Sequence, residues 1–357
     1  MPGVGLLSRT HGGAPPGLLD FSSPSNPLGP PADLISYVLG CAAEGVYSSY
    51  PTWLYRDLYE SLSSFLGFDQ EQLVPLNGAA EALSLAPLVL QARSLVVVEP
   101  NFGDHEAMAR VLGIDLRRAL LTREGSSFTL DVDDVIKEAS QALKPLVVII
   151  SRPNNPTGYL APISVIDDLS SRLPRDSILI VDEAFIDLSP GPALRPREDL
   201  VILRSLTKAF STPGLRLGVL ATANLRLLEK FVSALQAWPV DSITACAFSR
   251  FLRDERARRH VEEGARLVQS ERPRLSRGLR KAGAEAYEGE APFVMIRHDA
   301  VQNPLFQQEL VKRGIYVRDC SSFYGLGPSF SRVSVRKPPE NDRLVRAVSE
   351  VLAYGPR

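Results

Sequence analysis

Three short, uninterrupted apolar runs lie in the middle of the chain, at residues 146–150, 178–181 and 200–203. Segments of helical or loop character separate them, and similar runs at 74–76 and 94–98 precede them. This pattern is typical of strands that are buried on both faces of a mostly parallel sheet. We therefore predict an α/β fold, in which helices cover both faces of the sheet in an α/β/α sandwich.

The two ends of the chain differ from this middle part. Residues 1–31 are rich in glycine, proline and serine, which predicts an extended N-terminal arm that contributes to a substrate site. From residue 292 onward, short strands alternate with helices, which indicates a smaller α+β domain. We place the large domain at 32–240 and the small C-terminal domain at 241–357.

Composition narrows the class of protein. The chain has 357 residues, is 45% hydrophobic and 23% charged, and carries a formal net charge of −1. That balance gives no broad basic field for nucleic acid or an anionic membrane, and no apolar run is long enough to span a bilayer. Three cysteines, Cys41, Cys246 and Cys320, predict no disulfide framework and fit a reducing cytosol, so we expect a cytoplasmic protein.

Polar groups follow directly after the three central runs. Asn155 follows the first, Asp182 the second and Ser205 the third, with Lys208 close behind. Because ligands of such sheets bind beyond the carboxyl ends of the strands, these groups are expected to meet at one edge. Pyridoxal phosphate (PLP) needs a lysine for a Schiff base, a carboxylate for its ring nitrogen, and hydroxyls with an arginine for its phosphate. The sequence therefore predicts a site for pyridoxal phosphate and no metal.

The order and spacing of these motifs resemble the fold-type I, class I and II aminotransferases over nearly the whole chain. The motifs are Asn154-Asn155-Pro156-Thr157-Gly158, Val181-Asp182-Glu183-Ala184-Phe185, Ser205-Leu206-Thr207-Lys208 and Gly214-Leu215-Arg216-Leu217-Gly218. The resemblance implies the aspartate aminotransferase-like fold of PLP-dependent transferases. It also implies a homodimer whose active site lies at the subunit interface.

The same resemblance implies roles around the cofactor ring. Lys208 is the catalytic lysine, Asp182 pairs with the ring nitrogen, and Asn155 hydrogen-bonds the ring hydroxyl. His105 stands where relatives stack an aromatic side chain on the ring, and Phe185 stands where aminotransferases carry a tyrosine. Both positions are departures from the aminotransferase pattern.

The cofactor phosphate is expected to be bound by side chains and backbone amides from two loops: Ser205, Thr207, Arg216, Ala79 and Ala80. Tyr50 matches a tyrosine that reaches the phosphate of the neighbouring subunit in this family. This match is the reason to expect a homodimer.

The two ends of the chain indicate a branch of the family. His11-Gly12-Gly13, Asp20-Phe21-Ser22 and Asn26-Pro27-Leu28-Gly29 resemble the opening of the threonine-phosphate decarboxylases of cobalamin biosynthesis, although Pro24 replaces a frequent asparagine. Two arginines suit a substrate with two anionic groups, because the guanidinium fork matches both carboxylate and phosphate. The implied substrate contacts are His11, Gly12, Asn26, Asn155, Arg318 and Arg332, with Arg332 on the carboxylate and Arg318 on the phosphate.

These observations predict a PLP-dependent enzyme, a lyase or an aminotransferase, that acts on a small phosphorylated amino acid or amine. The first hypothesis is decarboxylation of L-threonine O-3-phosphate to (R)-1-amino-2-propanol O-2-phosphate. The alternative is transamination of histidinol phosphate with 2-oxoglutarate. Both reactions use the same set of cofactor-site residues, and they differ in which bond to Cα is held perpendicular to the cofactor ring. A non-catalytic PLP-fold protein is a third possibility.

Overall fold

The computed structural model describes residues 12–354, apart from the side chains of Leu54, Asp104 and Tyr354. The strands in this part of the chain are β1 (Leu19–Asp20), β2 (Leu73–Asn77), β3 (Ser94–Glu99), β4 (Asp115–Leu120), β5 (Thr122–Glu124), β6 (Ser127–Thr129), β7 (Leu146–Ser151), β8 (Ser177–Asp182), β9 (Leu200–Ser205), β10 (Leu217–Ala221), β11 (Glu285–Ala286), β12 (Phe293–Arg297), β13 (Ile315–Tyr316), β14 (Arg318–Asp319) and β15 (Phe330–Ser334).

The helices are α1 (Ala32–Ala43), α2 (Thr52–Leu66), α3 (Ala80–Val89), α4 (Asp104–Leu112), α5 (Val132–Gln141), α6 (Ile163–Arg172), α7 (Leu206–Ala209), α8 (Leu225–Ala234), α9 (Ser242–Phe251), α10 (Glu255–Lys281), α11 (Leu305–Lys312) and α12 (Pro338–Tyr354). In the described part of the chain, none of these helices is both long and apolar enough to cross a membrane.

A seven-stranded sheet forms the centre of the large domain, in the order β2-β10-β9-β8-β7-β3-β4. Strands β9, β8, β7, β3 and β4 run parallel, whereas β10 is antiparallel to both of its neighbours. Successive residues of one strand enter opposite cores, as with Val148 in one and Ile149 in the other. Helices therefore cover both faces of the sheet, and the predicted α/β/α sandwich is confirmed.

A four-stranded antiparallel sheet, β11-β12-β15-β14, forms the smaller α+β domain with α11, α12 and the end of α10. Helix α9 instead packs on α1 and α2, and its side chains share a core with theirs. The predicted boundary at residues 240 and 241 stays a prediction, although this packing groups α9 with the elements before it.

One expectation about the cysteines is wrong. Cys41 on α1 and Cys246 on α9 form a disulfide, with their Cα atoms 6.1 Å apart, and Cys320 is free and buried. This pair could not be predicted, because 205 residues separate the two cysteines and the packing of α1 on α9 brings them together.

Candidate active site

A cavity of about 490 Å³ opens at the carboxyl edge of β8 and β9, between the two sheets. Many of the predicted site residues line it: Gly12, Ala79, Ala80, Asn155, Asp182, Ser205, Thr207, Lys208, Arg216, Arg318 and Arg332. The edge of a parallel sheet is where such folds bind ligands, because the loops after neighbouring strands meet there.

Lys208 reaches the cavity from the single turn of α7, which begins immediately after β9 ends at Ser205. Burial lowers the pKa of its ammonium group to about 8, and the nearby positive charges of Arg332 and Arg216 act in the same direction. A lysine with a lowered pKa is more often uncharged near neutral pH, which suits it to attack a carbonyl and to transfer protons.

Asp182 is the last residue of β8, and its Oδ1 accepts a hydrogen bond from the Ala184 backbone N–H at 3.0 Å. Burial raises its pKa to about 6, while this hydrogen bond and the charge of Lys208 oppose the rise. A cationic ring nitrogen next to this carboxylate would offset the cost of burying its charge. The neighbouring Glu183 has a different role, because it faces away and forms a buried ion pair with Arg152 at 2.6 Å.

The turn between β2 and α3 forms a cup beside Arg216. Gly78 has a φ of +74°, and a Cβ there would lie 2.6 Å from Nη2 of Arg216. A Cβ on Gly218 would overlap the backbone of Ala79, so glycine is needed where β10 passes this turn. The first amides of a helix point outward without intrahelical partners, and here they lie beside a guanidinium, which together suit a phosphate.

Asn155 and Arg332 contact each other across the cavity. Arg332 is only 5% exposed, and it donates one hydrogen bond to Oδ1 of Asn155 and one to the Ser22 carbonyl, the latter at 2.6 Å. Burial lowers its pKa to about 10. Asn154 does not reach the site, because its side chain instead holds the loop by accepting a hydrogen bond from Thr157 Oγ1 at 2.7 Å.

Arg318 and Arg332 lie directly opposite each other in the register of β14 and β15. Directly opposed residues of antiparallel strands project on the same face, about 5 Å apart at Cβ, so the two guanidinium groups enter the cavity together. Arg318 is 7% exposed and donates to Ser322 Oγ at 2.8 Å. Within residues 12–354, neither arginine forms an ion pair with a carboxylate.

The described part of the arm passes over the cavity and joins the two domains. Strand β1 pairs in parallel with β13 of the small domain, and the Phe21 carbonyl accepts from the Ser334 backbone at 2.8 Å. On the other side, the Asn26 backbone N–H donates to the carbonyl of Lys208 at 3.0 Å. Gly12, Ser22, Ser23 and Pro24 of the arm line the cavity as a result.

Three predicted site residues that the structure describes, His105, Asn26 and Tyr50, are not among those that line the cavity. His105 is buried, with its Nε2 3.4 Å from Oε1 of Glu99, and the adjacent loop presents Phe102 to the cavity instead. The Asn26 amide donates to the carbonyls of Ala209 and His260, which fixes the arm rather than facing a ligand.

Tyr50 is 73% exposed and stacks on Trp238, with ring centroids 4.0 Å apart, outside this chain's own cavity. His11 lies outside the described residues.

The sequence reasoning missed the apolar side chains of the site, among them Leu83, Phe102, Pro213 and Phe323. Phe102 carried a usable signal, because it lies in the loop after the buried strand β3, as Asn155 lies in the loop after β7. Phe323 carried none, because it lies in an irregular loop after β14.

The residues present fit pyridoxal phosphate. The cavity is lined by four cationic side chains and one carboxylate, so it needs an anionic ligand to balance its charge. The cup around Arg216 suits the phosphate, Asp182 the ring nitrogen and Lys208 the aldehyde. The aromatic rings of Phe102 and Phe185 line the space between them.

Comparison with known proteins agrees with this site. The family model for aminotransferases of class I and II matches residues 15–348. The threonine-phosphate decarboxylase of Salmonella typhimurium is 30% identical over 98% of this chain and 98% of its own. The histidinol-phosphate aminotransferase 1 of Archaeoglobus fulgidus is also 30% identical, over 94% of this chain and 99% of its own. The bifunctional protein CobDQ of Leptospira interrogans is 30% identical over 98% of this chain, which spans 40% of that longer protein.

Solved structures share the fold. The histidinol-phosphate aminotransferase of Clostridium acetobutylicum superposes with a TM-score of 0.83 at 26% identity, over 94% of this chain and 99% of its own. The histidinol-phosphate aminotransferase of Sinorhizobium meliloti, solved in complex with pyridoxal-5'-phosphate, superposes with a TM-score of 0.80 at 18% identity. The match covers 93% of this chain and 90% of that chain. The chain therefore belongs to the class I and II aminotransferase family, whose members are pyridoxal phosphate-dependent enzymes.

Proposed function

We propose that this enzyme decarboxylates L-threonine O-3-phosphate to (R)-1-amino-2-propanol O-2-phosphate. The observation that carries the proposal is the pair Arg318 and Arg332, two buried guanidinium groups side by side with no carboxylate partner among the described residues. Like charges at directly opposed positions of a sheet repel each other, so the pair is favourable only when an anion lies between or above them. A substrate with both a carboxylate and a phosphate supplies two anions.

The arm supports a phosphorylated substrate. Its described part brings the Gly12 backbone to the same cavity as Arg318, and a Cβ on Gly12 would lie 2.5 Å from the Ser22 carbonyl. This close approach leaves room for a backbone amide but not for a side chain at position 12. Backbone amides beside an arginine form a favourable phosphate site. We propose that His11 and Gly12 complete the phosphate site with Arg318.

Each residue then has a stated task. Arg332 binds the substrate carboxylate and Arg318 its phosphate, which fixes the substrate at two ends and orients the bond between Cα and the carboxylate carbon. The bound cofactor supplies an electron sink for the pair of electrons left when that bond breaks and CO2 departs. Asp182 keeps the ring nitrogen charged, and Lys208 delivers the proton that replaces the carboxylate at Cα.

Transamination of histidinol phosphate is the second candidate, because a relative of that name is as similar to this chain as the decarboxylase is. Incubation with L-threonine O-3-phosphate, followed by measurement of CO2 and of amino transfer, separates the two. Stoichiometric CO2 supports the decarboxylase. Efficient amino transfer from histidinol phosphate to 2-oxoglutarate, with no CO2 from phosphothreonine, would exclude it.

Arginine variants sharpen the assignment. R332A should weaken binding of phosphothreonine by about 10- to 100-fold, as expected for loss of a charge-assisted contact, and leave binding of the amine phosphate product nearly unchanged. R318A should weaken binding of both ligands, because both carry the phosphate. Equal effects of both variants on both ligands would contradict the assignment of one arginine to each anion.

We also propose a homodimer. The cytoplasmic location stays a prediction, and the Cys41–Cys246 disulfide removes the argument from the cysteines on which it rested. Tyr50 stacks on Trp238, and both side chains are exposed, as are those of Tyr47 and Trp53 close by in the sequence. Clustered apolar surface of this kind favours burial against a second chain. In that arrangement Tyr50 would reach the phosphate site of the partner. Sedimentation of the protein alone tests the oligomeric state, and Y50A should weaken cofactor binding if Tyr50 crosses the interface.

A further inference from the structure

Two phenylalanines from different domains meet beside the cavity, and Phe185 is the one that lines it. Phe185 belongs to the loop after β8 of the large sheet, and Phe293 begins β12 of the small sheet. Their ring centroids are 5.2 Å apart and their planes are inclined by 81°, which is the favourable edge-to-face arrangement. Both rings are buried, and together with Ala291 they form a core cluster separate from those of the two domains.

Each ring of this aromatic pair contacts one cationic side chain of the site. The guanidinium carbon of Arg332 lies 5.1 Å from the centroid of Phe293, and Nζ of Lys208 lies 5.8 Å from the centroid of Phe185. Register explains the first contact, because Met295 is opposite Arg332 on β12 and Phe293 is two residues away on the same face.

Few other groups fix the orientation of Arg332. One Nη atom donates to Asn155 and the other to the Ser22 carbonyl, both residues being themselves in loops, and Nε is buried without a hydrogen-bond partner within residues 12–354. A substrate carboxylate would compete for the same two Nη atoms. The contact with the face of Phe293 does not depend on those hydrogen bonds and can persist when they are exchanged.

We propose that Phe293, held by the edge of Phe185, is the positioning residue that sets the plane of the Arg332 guanidinium and so favours ligands with an α-carboxylate. The inference rests on the proposed role of Arg332 in substrate binding. A cation over an aromatic face is held by the ring quadrupole, and a planar fork binds a planar carboxylate well in one orientation only. Since that orientation fixes the bond from Cα to the carboxylate, Phe293 acts on the reaction through Arg332.

The test compares ligands that differ only in the carboxylate. Dissociation constants are measured by absorbance titration of the holoenzyme with L-threonine O-3-phosphate and with (R)-1-amino-2-propanol O-2-phosphate. F293L keeps an apolar side chain but removes the aromatic face, and it should weaken binding of the amino acid on the order of tenfold with little change for the amine. F293Y keeps the face and should restore the wild-type ratio of the two constants.

Phe330 provides a matched control on the same sheet. Its ring lies 5.9 Å from the guanidinium carbon of Arg297, a comparable pair outside the cavity. F330L should leave both dissociation constants unchanged. Cofactor content and melting temperature are recorded for every variant, and F293M replaces F293L if the leucine variant does not bind the cofactor.

Two outcomes would overturn the proposal. An equal loss of affinity for both ligands in F293L would mean that Phe293 supports the cavity in general, and no loss for either would mean that Arg332 is oriented without it. If the wild-type enzyme does not bind phosphothreonine, the proposed function fails first. The ratio is then measured with L-glutamate and 4-aminobutyrate, which differ only in the α-carboxylate, so the two failures remain distinct.

Discussion

The cavity has two halves that differ in how their charges are arranged. The cofactor half contains Asp182 at the end of β8, Lys208 on the single turn of α7 and Arg216 just before β10, all at one edge of the large sheet. There an acid and a base face the same space, and their opposite charges partly compensate. The other half, called the substrate half after the proposed function, contains Arg318 and Arg332 on neighbouring strands of the small sheet, with the arm beside them. Among the described residues, no carboxylate forms an ion pair with either arginine.

This difference shows where each half obtains its charge balance. The charges of Asp182, Lys208 and Arg216 can nearly compensate one another in the folded protein. The same cofactor, with the same ring nitrogen and phosphate, always binds there. In the proposed function, the anions of the substrate lie against Arg318 and Arg332, so repulsion between the two guanidinium groups would favour dianionic ligands. The described part of the arm lines the same cavity with Gly12 and with residues 22–24.

The largest expected effect comes from removing Lys208 from the cofactor half. K208A should lower the rate of product formation on the order of 10⁴-fold, because one residue both holds the cofactor and moves the proton. It should also remove the absorbance band of the covalently held cofactor. Substrate affinity should change much less, since Arg318 and Arg332 are untouched.

K230A is the control, because Lys230 is an exposed lysine on α8. If K208A kept both the absorbance band and the activity, Lys208 would neither hold the cofactor nor transfer the proton. The cofactor half would then contain no identified base.

The two halves also differ in how much of them could be predicted from the sequence. Asp182, Ser205 and Lys208 follow apolar runs directly, so the strand pattern alone brought them to one edge. The meeting of Arg318 with Arg332 depends on the register of β14 and β15, and that of Phe185 with Phe293 on the packing of two domains. Neither leaves a local pattern in the sequence.

The same reasoning explains what the strand pattern missed in the large domain. Strand β10 begins at Leu217, inside the Gly214–Gly218 motif, and runs antiparallel between β2 and β9. The glycine at its second position interrupts the apolar run, so the strand pattern did not mark it. His105 was placed by resemblance alone, and its burial against Glu99 depends on the local turn before α4, which the family pattern does not specify.

An intermediate effect concerns the anchoring of the arm. The disulfide between Cys41 and Cys246 ties α1, which follows the arm, to α9. The double variant C41A/C246A should lose about 2–4 kcal/mol of unfolding free energy, because the crosslink restricts the unfolded chain over a long loop. The specificity constant for phosphothreonine should stay near the wild-type value, since the arm has its own hydrogen bonds to β13, β15 and the Lys208 turn.

Denaturant unfolding with and without a thiol reductant measures this loss. Reductant should destabilise the wild-type protein and leave the double variant unchanged, which provides the control. A large rise in KM in the double variant would mean that the substrate half depends on the crosslink, and that the two halves are less independent than their contacts indicate.

The smallest expected effect concerns the cofactor half without its cofactor. The pKa of Asp182 is raised from 3.8 to about 6 by burial, so the folded apoprotein binds a proton that the unfolded chain releases. Stability contributed by this group is fully present below pH 3.8 and is lost as the pH rises through about 6. D182N carries no such charge, so its apoprotein should melt a few degrees higher than wild type near neutral pH, and the difference should vanish toward pH 4.

Addition of cofactor should reverse the order of the two proteins, because the ring nitrogen pairs with the carboxylate and not with the amide. Melting curves of apo and holo protein across this pH range measure both effects, and E229Q, which changes an exposed carboxylate on α8, is the control. If the melting temperature of apo D182N varied with pH as that of the wild-type apoprotein does, burial of the charged Asp182 carboxylate would carry no free-energy cost. The charges of the cofactor half would then be compensated equally well with and without the cofactor.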